Sequence, residues 1–102
     1  MIRTEENVVT HRNVVIGTTS TLIVLPNKLR RFLIIQNRSN EDVDIKIGEA
    51  AVSGEGIQLA ATDASSVRTT FELNPSMEVL PSNAIYGICA SGSKTISVTE
   101  IE

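Results

Sequence analysis

From residue 13 onward the chain is built of short apolar runs that recur roughly every 8 to 12 positions, separated by Gly, Pro, Asn and Ser. That texture is the signature of an all-β sandwich or barrel. Residues 14–16 form the first run, Gly17 and Thr18 interrupt it, and 19–25 reads as a strand ended by Pro26 and Asn27. RFLIIQN, 31–37, is apolar on both faces, with Phe32 and Ile34 on one and Leu33 and Ile35 on the other, which predicts a central and deeply buried strand. The cleanest alternation follows: Val43, Ile45 and Ile47 share one face, and Asp42, Asp44 and Lys46 the other. The short polar turn of Arg38, Ser39 and Asn40 predicts that these two strands form an antiparallel hairpin.

Further along, GEAAVSGEG at 48–56 reads as a loop and 57–59 as a short strand. In 60–69 the spacing of Ala60, Ala64, Val67 and Phe71 admits at most one short helical turn, capped by Thr62. Residues 70–73 are extended, and Pro75 and Pro81 bracket a brief edge strand at 78–80. AIYGICA at 84–90 and KTISVTE at 94–100 flank the turn SGS, which predicts a second hairpin. The count is eight or nine short strands, an antiparallel sandwich of jelly-roll-like or barrel-like form. Residues 1–12 have no strand or helix period and read as an extended arm, leaving 13–102 as one domain.

Length agrees with a single core: 102 residues fit one domain, and folding at that size hides roughly 60 to 65% of the unfolded chain's surface. Aromatic residues are only 3%, so the core must be aliphatic and rich in β-branched side chains. A net charge of −3, with no long run of either sign, argues against nucleic acid as a partner. The apolar runs are too short to span a bilayer and the first residues lack a secretory pattern, so a soluble protein made in a cytoplasm is expected.

Candidate chemistry is sparse. His11, the one imidazole, lies in the arm, where a general base would lack the positioning that gives it effect. Cys89, the one thiol, sits in an apolar strand without a basic neighbour and reads as an inert core residue. Asp42 and Asp44 could in principle hold calcium, but an alternating strand offers two oxygens where such sites gather several, so a solvated face explains them better. The glycine loop lacks the lysine and the following helix of a phosphate cradle. No catalytic, cofactor or metal site is therefore expected. Lys28, Arg30 and Arg31, with Arg38 across the expected hairpin, form the one basic cluster, suited to an acidic protein surface or simply a charged turn.

Taken in order, NKLRRFLIIQNRSNEDVDIKIG, GIQLA and PSNAIYGICASGSKTISVTE resemble a group of small tailed-bacteriophage virion proteins with an NPxRxxLxIQN-like strand, a second strand ending in Gly, a GIxLxPG-like segment and a closing PxxAIYAxxxxGxxxVxVxE. The match departs at Ala61, Thr62 and Asp63, where those proteins carry PGG. The resemblance implies a capsid decoration or cement protein, or a head-fibre base, of β-sandwich form and assembled as a trimer. On that reading the protein sits on the capsid surface of the virion, its partners are the major capsid protein or other virion proteins, and contact falls to Val8, Val9 and Arg12 of the arm with Lys28, Arg30, Arg31 and Arg38. A ring or adaptor of the tail or neck is the alternative within the virion. A carbohydrate-binding attachment module is a third, with Tyr86 as its one candidate platform.

Overall fold

The computed structural model describes residues 8–62, 68–74, 76 and 80–102. They form eight strands: β1 (Val9–Ile16), β2 (Thr21–Val24), β3 (Phe32–Asn37), β4 (Val43–Ile47), β5 (Ile57–Leu59), β6 (Thr70–Leu73), β7 (Ile85–Cys89) and β8 (Lys94–Ile101). No helix among them is long and apolar enough to cross a membrane. Of the segment 60–69, where a helical turn is expected, 63–67 lie outside the described residues and the rest is not helical; of the expected strand at 78–80, 78 and 79 lie outside them and Leu80 is not in a strand.

Pairing follows one rule. β1 pairs with β8, β2 with β7, β3 with β6 and β4 with β5, all antiparallel, so the two halves of the chain run as one ribbon that doubles back at the 48–56 loop. The ribbon then rolls up and gains two further pairings, β3 with β8 and β4 with β7. Two four-stranded sheets result, in the orders β1-β8-β3-β6 and β2-β7-β4-β5. That is the strand order of a jelly roll, the two sheets packing as a sandwich.

Rolling is driven by the inward side chains. Ile16, Leu33, Ile35, Ile96 and Val98 from the first sheet meet Ile23, Val24, Val43, Ile45, Leu59 and Ile85 from the second, nearly all fully buried. Each such side chain contributes about 1.5–3 kcal/mol relative to exposure. Gly87 leaves room for core side chains: a Cβ there would lie 2.8 Å from the δ-methyl of Ile23 on the adjacent strand and 3.4 Å from that of Ile16 across the sandwich. Gly56 closes the ribbon tip with φ at +85°, and a Cβ would come within 2.3 Å of the Ile45 carbonyl oxygen. Gly56→Ala is accordingly expected to lose about 2–3 kcal/mol in a urea titration, since both the backbone conformation and the contact with Ile45 resist a side chain.

Both expected hairpins are corrected. β3 and β4 lie in opposite sheets, as do β7 and β8, so each short turn is an arch across the sandwich. Asn37 builds the first arch. It is fully buried; its Nδ2 donates to the carbonyls of Glu41, Leu59 and Ala60 at 2.7, 2.9 and 3.2 Å, and its Oδ1 accepts from the Ser39 amide at 2.9 Å. The chain therefore leaves the first sheet at a polar corner, and β3 is free to pair with β8 and β6 instead of β4. Gly92 and Ser93, with φ at 76° and 56°, turn the second arch.

The expected arm, 1–12, is corrected over 9–12, while 1–7 lie outside the described residues. Residues 9–12 belong to β1, which pairs with β8 from Val9 to Ile16 without a register shift. As an edge strand it is exposed over most of its length, so no apolar alternation marks it. Nor is β3 buried on both faces. Leu33, Ile35 and Asn37 point inward, whereas Phe32 and Ile34 are half-buried on the outer face.

Candidate functional site

The turn at 25–31 carries the most exposed large apolar side chains among the described residues, Leu29 at 69% and Leu25 at 62%. It is held rigidly. Asn27 Oδ1 accepts from the Leu29 amide at 2.9 Å, and the Arg30 amide donates to the Asn27 carbonyl at 3.2 Å, which closes a tight turn and lifts Lys28 and Leu29 outward. The Asn27 amide donates to Ser82 O, the Arg31 amide to Ile101 O, and Asn27 Nδ2 to the Glu102 carboxylate at 2.7 Å. Glu102 in turn exchanges both backbone hydrogen bonds with Val8, so Val8 and Val9 stand at the same end of the sandwich.

Arg30 anchors this turn from within. Its side chain is completely buried: Nε meets Glu100 Oε2 at 2.7 Å, Nη1 donates to the carbonyls of Pro81 and Asn83, each at 3.0 Å, and Nη2 to Leu25 O at 2.9 Å. The expectation that Arg30 faces a partner is corrected by this burial. One guanidinium serves four acceptors that converge there because the planar fork spreads its donors over all of them. Arg38 also leaves the cluster. It follows β3 at the opposite end of the strand, about 23 Å from Arg31 at roughly 3.3 Å per residue, because all six extended residues of β3 lie between them.

The structure thus gathers Val8, Val9, Lys28 and Arg31 at one end, all exposed, and adds Leu25 and Leu29. Val9 continues into a cross-strand row with Ile101 and Phe32 on the outer face of the first sheet. The result is an aliphatic surface with a basic rim, mounted on a rigid turn. Sequence reasoning missed the two leucines. The available signal was a leucine on each side of Pro26-Asn27, in a turn otherwise polar.

Arg12 and Arg38 both border a different part of the surface. With His11, Asn13, Ser97 and Thr99 they line an open depression over β1 and β8. Arg12 points to the inner side and its Nη2 donates to Ile23 O at 2.7 Å, bridging the two sheets at their open flank. His11 Nδ1 lies 2.9 Å from Thr99 Oγ1 on the outer face. Cys89 is buried within the sandwich, its Sγ 3.4 Å from Ile16 O, so sheet and core separate thiol from imidazole.

Asp42 and Asp44 serve as loop anchors: Asp44 Oδ2 accepts from the Gly54 amide at 2.8 Å and Asp42 Oδ1 from the Ala61 amide at 2.9 Å. Among the described residues no three His, Cys, Asp or Glu side chains gather as metal ligands would. The two arches are joined by Glu41, whose carboxylate accepts from the Ser91 hydroxyl and amide; these bonds hold its pKa below the usual carboxylate value. Lys46 is pinned on the outer face of the second sheet by Glu55 and Glu49, which raise its pKa.

Compared with protein-family models, curated proteins and solved structures, the chain finds no match in any of the three.

Proposed function

We propose that this protein is a non-enzymatic structural part of a bacteriophage virion, a decoration protein that docks on the outside of the head and strengthens the shell. One observation carries the docking role: Leu25 and Leu29, which ordinarily would be core residues, are held out in water on a turn pinned at four points and rimmed by Lys28 and Arg31. Exposed aliphatic side chains on a preorganised support cost little further ordering when they bind. The virion setting draws on the ordered motifs from Asn27 to Glu100 and on the jelly roll, an architecture common in capsid domains, although a fold alone does not specify a function.

The test is retention on undecorated phage heads, with the wild-type chain and Leu29→Glu compared by co-sedimentation. Wild type is expected to stay with the heads. Leu29→Glu is expected to bind at least about 30-fold more weakly, the effect of losing about 2 kcal/mol at an interface centre, while its thermal unfolding stays within about 0.5 kcal/mol of wild type because the side chain is exposed. Failure of the wild-type chain to be retained would remove the proposal. Copy number distinguishes the shell from a neck or tail ring, and light scattering tests the trimer that accompanies this reading.

A second reading has one specific feature behind it. Tyr86 edges an open depression with Lys28, Ser82 and Asn83, and jelly rolls also serve as lectins. Glycan binding that Tyr86→Ala removes without loss of folding would favour an attachment module.

A further inference from the structure

Three of the four sheet edges are blunted by brevity: β5 has three residues, β6 has four, and β2 has four with a bulge between Leu22 and Val24. β1 differs. It runs for eight residues without Pro, Lys or bulge, and among the described residues nothing pairs with its outer side. Val8 and Glu102 exchange both backbone hydrogen bonds, so by antiparallel alternation residues 10, 12, 14 and 16 turn their backbone groups to β8. The N–H and C=O of Val9, His11, Asn13 and Val15 consequently point away from the sheet. Such a row is a template for an added strand.

The charge on the strand decides which strand fits. Self-pairing that engages all four of these residues on both copies has one register, Val9 with Val15 and His11 with Asn13, and it places Arg12 directly opposite its own copy in a close, non-hydrogen-bonded pair. Like charges so placed oppose pairing. Arg12 is the strand's one formal charge, and its polar partner is the Ile23 carbonyl; Glu100, the nearest carboxylate along the ladder, is bound by Arg30. An inward charge on an edge strand guards against indiscriminate pairing, and the same charge selects a strand with a carboxylate at that position.

We propose that the outer edge of β1 accepts an extended segment of another protein as an added antiparallel strand, with an acidic residue opposite Arg12 and β-branched residues opposite Val9 and Val15. This interaction stands on the strand's own geometry and does not depend on the virion reading.

The probe is an N-acetylated, C-amidated heptapeptide, Val-Thr-Thr-Glu-Thr-Thr-Val, beside an analogue with Lys in place of Glu, each at millimolar concentration. Amide hydrogen exchange on the full chain is read residue by residue. The Glu peptide is expected to slow exchange at Val9, His11, Asn13 and Val15 and to leave 10, 12, 14 and 16 unchanged. The Lys peptide should bind about tenfold more weakly, and Arg12→Glu should reverse the preference. The proposal is overturned if the Glu peptide protects none of the four amides, if both peptides protect them equally, or if they become protected with rising protein concentration alone.

Discussion

Arg30→Ala is expected to lose about 3–5 kcal/mol of folding stability, the range for removing one partner of a buried ion pair. The whole stability of a domain is about 5–15 kcal/mol, so urea unfolding should show a midpoint far below wild type or no folded baseline. The cause is specific. Without the guanidinium, Glu100 loses its counter-charge and the carbonyls of Leu25, Pro81 and Asn83 lose their donors at once. Arg30→Lys separates charge from geometry, because an ammonium restores the charge but not the planar fork; it should recover only part of the loss. If Arg30→Lys proved as stable as wild type, charge alone would matter there.

Asn37→Leu is expected to cost about 3 kcal/mol, even though it replaces a buried side chain with an apolar one of similar size. Asn37 Nδ2 donates to three carbonyls, of Glu41, Leu59 and Ala60; Glu41 keeps the Ser39 hydroxyl as a second donor, and burying the other two without Asn37 costs about 1–3 kcal/mol each before relaxation. Asn37→Asp should do no better, since a carboxylate would face the same carbonyls. Ser39→Ala, which removes the hydroxyl's contacts to Asn37 Oδ1 and to the Glu41 carbonyl and amide but leaves the Asn37 carboxamide in place, should cost about 1 kcal/mol. Equilibrium unfolding of the three variants checks the ordering. Equal effects from Asn37→Leu and Ser39→Ala would mean that Asn37 does not hold the arch.

These two residues also mark where sequence reading stops. The alternation at Val43, Ile45 and Ile47 is legible because each strand buries one face, and the side-chain period of two then appears directly in the letters. The first part of β1, 9–13, is illegible for the complementary reason: an edge segment exposed throughout buries no side chain to imprint a pattern, whereas 14–16, which reaches the core at Ile16, reads as an apolar run. Arg30 looks like Lys28 and Arg31 in the sequence. Its burial depends on acceptors contributed by Leu25, Pro81, Asn83 and Glu100, most of them distant along the chain, and no local window contains that information. The exposure of Leu25 and Leu29 is decided by the same anchoring, because the inward turn of Arg30 leaves its neighbours outside.

By itself the sequence determined the all-β class, the positions of most strands, the aliphatic core and the inward set of each well-patterned strand, all of which follow from local side-chain periodicity. Long-range packing made the short turns at 38–42 and 90–93 into arches, paired β1 as an edge, and divided the basic residues between an inner anchor and an outer rim. The physical reason is that a short turn makes its flanking strands antiparallel without specifying whether they bond edge to edge or face each other across the core. That choice belongs to the strands that come to lie between them, here β8 beside β3 and β7 beside β4, brought together by long-range burial.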